Sequence, residues 1–391
     1  MKILIVNQFA SKPGDIGLDR HYVIAKKLQE FGDEVRVVNA DRNYLNGEKY
    51  KNDNNSEVIF KTLKSNFRNI GTLERMFCYI EFSLKLFFQK KFNADVIISS
   101  TPNILACFFA YIKSRLSNKK FIFEVRDIWS ESVLSLTNIR RYNPAFLISR
   151  SIEKYLLEHS DLIIYTMPNF KEFYKDLLGK DSSNNVYYCP QLIEDEYLQH
   201  QADNSSKEID LVYSGTTKDK DNLFTIVQAF KILQEKHKEI KASLTVIGVL
   251  KNETIQEYSE KHKLNIKFDR NYYCRGDLIK KLSKYSAGII SLKEAKVYKY
   301  GISLNKAIDY MSAGIPLIVS GIKFGTYAGI YNEKNSPEDL CISFVELASL
   351  SEGQIRDIAM INKENIKQKN SSVLEVKKLR EKIKLLLNFR H

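Results

Sequence analysis

The sequence is poor in cysteine and lacks every cysteine arrangement that carries chemistry. Cys78, Cys107, Cys189, Cys274 and Cys341 are odd in number and far apart, so neither a zinc or redox pair nor a disulfide framework is available, and all five read as reduced packing residues. Long apolar runs are missing too. The longest, Ile104 to Ile112, is about half of what a membrane-spanning helix needs. The opening run, Met1 to Ala10, goes straight into a loop without the basic flank and cleavage site of a secretory leader. These absences predict a cytoplasmic chain that does not cross a bilayer. No solenoid period recurs, and no helix-turn-helix, RNP or zinc pattern accompanies the basic residues, which are dispersed along the chain; a nucleic-acid partner is therefore not expected.

What is present is an ordinary globular composition, 44% hydrophobic and 27% charged over 391 residues. That length predicts two domains of about 190 residues each. The net charge of +13 calls for an anionic partner, for which nucleic acid, anionic lipid and phosphorylated ligands all qualify by sign alone.

The pattern along the chain is α/β. Met1 to Asn7 reads as a fully buried strand, Asp19 to Phe31 as an amphipathic helix stopped by Gly32, and Glu34 to Asn39 as the next strand. This is the parallel crossover unit of a doubly wound sheet. Strands follow at Asp95–Ser100, Lys120–Val125 and Asp161–Tyr165. Between Pro190 and Lys207 the apolar period disappears, and a second series begins with Ile209–Ser214, a helix to about Lys236, and strands at Ser243–Gly248, Ile266–Phe268, Gly288–Ser291 and Pro316–Val319. The expected division is an acceptor-binding domain over 1–190, a linker over 191–207, a donor-binding domain over 208–372 and a final helix over 373–391 that returns to the first domain. Two such domains facing across a cleft would bring the carboxyl ends of both sheets to the ligand.

Two loops are placed to meet phosphate. The first, Ser11 to Asp19 with Gly14 and Gly17, joins the first strand to its helix, where backbone amides and a helix N-terminus can hold an anion. Its glycines lack the G-x-G-x-x-G spacing of a dinucleotide site, so it is either a phosphate loop of another kind or a plain surface loop. The second, Gly215-Thr216-Thr-Lys218-Asp-Lys220, occupies the equivalent place in the second domain, and its lysines either reach phosphate oxygens or are merely solvated.

The most informative stretch runs from Tyr298 to Ile318. A loop opens a helix near Ser303 or Asn305, Gly314 stops it, and Pro316 begins a strand, which leaves Asp309 about one turn into a short helix with a carboxylate that can accept from a ribose. Gly301, Ser303, Asn305, Lys306, Asp309, Tyr310, Met311, Gly314 and Pro316 fit the pattern Gly-x-Ser-Pro-Asn-Lys-x-x-Asp/Glu-Tyr-Met-x-x-Gly-x-Pro, with Leu304 in place of the proline. This segment resembles the signature of retaining family-four glycosyltransferases of the GT-B fold, closest to the branch that builds O-antigen and capsular polysaccharide and includes N-acetyl-fucosamine transferases. The resemblance extends to Lys2–Phe9 with Arg20-His21, to Val125-Arg-Asp-Ile-Trp-Ser-Glu-Ser132 and to Tyr213-Ser-Gly-Thr216, and so to nearly the whole chain.

That resemblance implies a two-domain enzyme that binds a nucleotide sugar, UDP-linked by family precedent, with no required metal or cofactor. Gly17, Gly215, Thr216, Ser303, Leu304, Asn305, Lys306 and Asp309 are its implied donor contacts. Asp127, Lys218 and Lys220 carry the implied catalytic charges, and His21, Arg126 and Trp129 the acceptor side. Two departures stand out. Gly301 occupies the position of the first Glu of the family's Glu-x₇-Glu pair, so that contact must come from elsewhere, such as the backbone around Ile302 and Ser303. Arg126-Asp127 takes the neighbourhood of a family histidine, with Asp127 as its substitute. A sugar-nucleotide epimerase of the same fold and a non-catalytic scaffold are the alternatives.

The implied acceptor is a polyprenyl-diphosphate-linked saccharide at the inner membrane surface. Between Lys61 and Phe92, lysines and arginines mix with Phe67, Phe77, Tyr79, Phe82, Phe87, Phe88 and Phe92. Such a segment either docks on anionic lipid, each cation contributing about 1 kcal/mol, or is an ordinary helix whose aromatics face the core.

Overall fold

The computed structural model describes the chain except for residues 13, 14, 16, 18, 44–46, 51–57, 67–71, 90–92, 138, 183, 184, 200–207, 216–221, 249–252, 323–326 and 389–391. It divides into two compact units. One comprises residues 1–192, 299–303 and 372–391, and the other residues 193–298 and 304–371.

The first unit is a seven-stranded, all-parallel sheet with helices on both faces. In chain order it contains β1 (Lys2–Val6), α1 (Arg20–Glu30), β2 (Glu34–Ala40), β3 (Ile59–Leu63), α2 (Thr72–Phe88), β4 (Val96–Ser100), α3 (Ile104–Leu116), β5 (Lys120–Val125), α4 (Trp129–Leu136), α5 (Pro144–His159), β6 (Leu162–Tyr165), α6 (Phe170–Leu178) and β7 (Val186–Tyr188). The strand order is β3-β2-β1-β4-β5-β6-β7, so the direction of winding reverses between β1 and β4. Alternate residues explain the two layers. Ile3, Ile5, Val96, Ile98 and Ile122 face one core with Tyr22, Val23 and Leu28 of α1. Their neighbours Leu4, Ile97 and Phe121 are equally buried on the other face, which is why these strands read as continuous apolar runs rather than alternating ones.

The second unit holds β8 (Ile209–Ser214), α7 (Leu223–Lys236), β9 (Ala242–Ile247), α8 (Thr254–Lys261), β10 (Ile266–Asp269), α9 (Arg275–Leu282), β11 (Ala287–Ser291), α10 (Asn305–Ser312), β12 (Leu317–Ser320), β13 (Gly329–Asn332), α11 (Pro337–Ser349) and α12 (Glu352–Asn370). Its six parallel strands run β10-β9-β8-β11-β12-β13, with the reversal between β8 and β11. In an open sheet of this order, ligands bind beyond the carboxyl ends of the strands at that reversal.

The last helix, α13 (Ser372–Asn388), belongs to the first unit. Val376, Leu379 and Ile383 enter the same core as α1, and Arg380 reaches the Asp33 carboxylate at 2.6 Å. Asp33 itself is buried. Apolar spacing along the helix and this one ion pair account for its place.

Candidate functional site

In the second unit the chemistry gathers where β8 and β11 part. Tyr310 of α10 is fully buried, and its hydroxyl accepts from the Ser214 amide at 2.7 Å. A Cβ on Gly288 of β11 would stand 2.4 Å from the Tyr310 ring, so only glycine there lets the helix press onto the sheet. Gly314, at φ +76°, lets the chain turn out of the helix. The Tyr-Met-x-x-Gly part of the motif is thus structural: it fixes α10 against β8 and β11.

The remainder of the motif faces the strand ends. Leu304 is the extended residue before α10 and Asn305 its first residue, so the first-turn amides carry the positive end of the helix dipole. Lys306 projects from that turn over the Tyr213 ring, 4.6 Å from its centroid, with Nζ 3.4 Å from the phenol oxygen. The same Nζ is 3.1 Å from where a Cβ on Gly215 would stand. Gly215 has φ +148° and Gly248, at the end of β9, φ +132°. A Cβ on Gly248 would come within 2.2 Å of the Gly215 carbonyl oxygen. Among the described residues, the backbone of Gly215 and Gly248 and the Lys306 ammonium therefore form a cradle at the ends of β8 and β9, beside the Tyr213 ring. The sequence places Gly248 only as the end of a strand and not in the site, although its place after β9 mirrors that of Gly215 after β8.

Asp309 lies one turn after Lys306. It is buried, and Oδ1 accepts from the Nε of Arg275 at 2.8 Å. Arg275 is the second residue that sequence reasoning missed. Thr216, Lys218 and Lys220 lie outside the described residues. So does Asp219-Lys220-Asp221, an Asp-x-Asp triplet whose spacing suits a divalent ion on a diphosphate; the expectation of a metal-free donor site rests on the resemblance alone.

Gly17 and Ser303 belong to the first unit, apart from the other expected donor contacts. Gly17 packs its backbone against Ser11, where a Cβ would meet Oγ at 3.1 Å. Gly301 has φ +86°, and a Cβ there would meet Pro168 Cδ at 2.7 Å. A side chain at this position would be strained and would crowd Pro168.

The first unit carries a second polar cluster, at the carboxyl ends of β4, β5 and β6. Glu124, the one carboxylate in β5, is buried, as are Arg20, His21 and Arg126. Its two oxygens bind Arg20 Nε at 2.9 Å and His21 Nε2 at 2.6 Å. Burial alone would push the Glu124 carboxyl up, but Arg20 and His21 hold it well below the usual range. Burial lowers the His21 pKa against the pull of Glu124, so the ring is neutral, with Nε2–H donating. Arg20 also donates to the carbonyls of Cys189 and Pro190, which ties the start of α1 to the chain leaving β7. His21 thus serves the fold from inside this cluster rather than standing open at a site mouth.

Thr101 organises the turn beyond β5: its Oγ1 accepts from the amides of Arg126 at 3.0 Å and Asp127 at 3.3 Å. Arg126 is buried, with Nε lacking a hydrogen-bond partner among the described residues; burial lowers its pKa. Asp127 is exposed and Trp129 half-buried, the latter stacked on Phe146 at 6.2 Å. The Trp129 amide donates to Glu153 Oε1 of α5 at 3.1 Å. Glu153 is fully buried, and burial pushes its carboxyl up to about 7.

No family model and no curated protein matches the sequence. Solved structures do match over the full length. Sucrose-phosphate synthase from Thermosynechococcus elongatus aligns with a TM-score of 0.76 at 13% identity, covering 100% of both chains. The chain has the GT-B fold. A trehalose-6-phosphate protein from E. coli, bound with UDP-2-fluoro glucose, gives 0.72 at 11% identity over 100% of both chains. WaaG, a glycosyltransferase involved in lipopolysaccharide biosynthesis, gives 0.68 at 13% identity over 96% of this chain and 98% of its own.

Helix α2 has both buried and exposed apolar residues. Phe82 and Leu86 are buried, whereas Phe77 and Phe88 are 65% and 78% exposed and Met76 and Leu84 also face outward. Phe67, Arg68 and residues 90–92 lie outside the described residues. No described helix is long and apolar enough to cross a membrane.

Proposed function

We propose that the chain is a retaining glycosyltransferase. It moves a sugar, an N-acetylated amino sugar such as N-acetyl-fucosamine, from a nucleoside diphosphate donor, UDP by the precedent of its resemblance, to a polyprenyl-diphosphate-linked saccharide in O-antigen or capsule synthesis. The observation that carries this reading is the cradle of Gly215, Gly248 and Lys306 at the β8–β11 reversal, with Asp309 one turn further along α10. A diphosphate needs close backbone approach, a helix N-terminus and a cation; the cradle supplies all three. Its likeness in fold to a protein bound with a UDP-sugar analogue supports the same assignment.

In this mechanism Lys306, with Lys218 and Lys220, stabilises the negative charge that grows on the leaving diphosphate. The bond from the anomeric carbon to the phosphate oxygen breaks through an oxocarbenium-like state. The acceptor hydroxyl attacks from the same face, and its proton passes to a phosphate oxygen of the departing nucleotide. Asp309 holds the ribose. Asp127, exposed on a turn pinned by Thr101 and Glu153, orients the acceptor with Arg126 and Trp129. The outward Phe77, Leu84 and Phe88 of α2 are the surface by which the enzyme would dock on the inner membrane face that presents that acceptor.

Thermal unfolding with UDP, GDP, ADP and CMP tests the donor assignment. A ligand at about a hundred times its Kd stabilises by ~2.7 kcal/mol. One nucleoside diphosphate is expected to raise Tm, and Asp309→Ala to remove the shift; no shift with any nucleotide argues for a non-catalytic role.

A further inference from the structure

We propose that Arg275 positions Asp309 as the ribose-binding carboxylate and thereby sets how strongly the protein prefers ribonucleotide over deoxyribonucleotide donors. This rests on the donor-site reading above. Arg275 is the first residue of α9 and Asp309 the fifth of α10, and the two side chains are 13% and 9% exposed. A cation at the first position of a helix opposes the helix dipole. Arg275 therefore occupies a place that its own helix disfavours, and the compensating contact is tertiary, with a residue 34 positions away.

That contact does three things for a ribose site. The Arg275 guanidinium, charged at every working pH, gives this nearly buried carboxylate the ionic partner that a buried charge requires. The Nε–Oδ1 bond fixes the rotation of the carboxyl group, so its acceptor directions are set before ligand arrives. Last, Arg275 offsets the negative charge that Asp309 would otherwise present to an incoming diphosphate. Asp309 can then stand beside an anionic ligand.

The test uses calorimetric titration of the full chain with whichever of UDP, GDP and ADP binds tightest, paired with its 2′,3′-dideoxy analogue. Wild type is expected to lose about tenfold or more in affinity on the dideoxy analogue, the cost of an unmatched buried acceptor. In Arg275→Gln the penalty is expected to shrink to about twofold, and in Arg275→Lys, which keeps the charge, to be partly restored. Arg275→Lys carries the comparison alone if the Gln variant fails to fold, with an intermediate penalty expected. A full penalty retained in the Arg275 variants overturns this inference and leaves the donor site standing. Wild-type binding of none of the three nucleotides overturns the donor site and this inference together.

Discussion

The Nζ of Lys306 stands 3.1 Å from the position a Cβ on Gly215 would take, and the Gly215 carbonyl oxygen 2.2 Å from the position a Cβ on Gly248 would take. The two glycines are constrained differently. Gly215→Ala displaces the end of a flexible lysine, whereas Gly248→Ala must move backbone.

Gly248→Ala should therefore cost more stability than Gly215→Ala, about 2–3 kcal/mol against about 1 kcal/mol, both at positive φ. Gly215→Ala should instead show its main effect as a weaker nucleoside diphosphate affinity. Chemical denaturation and calorimetry on the two variants check the order; equal destabilisation would contradict the cradle geometry.

Among the described residues, Glu124 is the one carboxylate that binds both Arg20 and His21. Glu124→Ala leaves Arg20 buried without its ionic partner, and a loss of about 3–5 kcal/mol is expected. Glu124→Gln keeps hydrogen-bond acceptance and should lose less. A denaturation series reporting under 1 kcal/mol for the alanine variant would show that the cluster is solvated in solution.

Glu153 and His21 set opposing pH dependences. The Glu153 pKa is raised from 4.5 to about 7, so the folded state holds a proton that the unfolded chain has lost. Its contribution is full below about 4.5 and declines as pH rises to about 7, by on the order of 3 kcal/mol. His21 is lowered from 6.5, so its contribution is full above about 6.5 and declines as pH falls. The two slopes cancel in part just below pH 6.5. Glu153→Gln removes one of them, and its Tm should fall more steeply than wild type on acidification there while exceeding wild type at pH 8. Parallel Tm–pH curves would remove Glu153 from this role.

Much of this architecture is legible in the sequence, and what is not has a physical reason. Buried central strands such as β1, β4 and β8 announce themselves as apolar runs. The strands that escape notice are β3, β7 and β13, all at or near sheet edges, short and partly exposed; an edge strand has no second buried neighbour to demand apolar residues. The Lys306 to Asp309 segment is visible because its residue types are tightly constrained. Glu124 was available as a signal, since a carboxylate inside Phe-Ile-Phe-Glu-Val must find a cation once the strand is buried. Arg275 offered almost none, because its partner lies on another helix. Nothing local marks the pair.

The outward face of α2 gives another expectation. Phe77→Ser with Phe88→Ser removes its two most exposed aromatics without touching the core. Flotation with vesicles containing anionic lipid should show wild type in the lipid fraction and the double variant largely in the soluble one. Wild type remaining soluble would separate the protein from the membrane surface.

The central claim is sugar transfer from a nucleotide, and its most direct measurement is label transfer. Purified protein is incubated with radiolabelled nucleotide sugars, UDP-linked amino sugars first, and polyprenyl-diphosphate-linked acceptors extracted from bacterial membranes. Label should pass to the lipid fraction with release of the nucleoside diphosphate. Lys306→Ala and Asp127→Asn should each reduce the rate by about 10²-fold or more. Intact donor across the whole panel, with wild type and variants alike, would contradict the account.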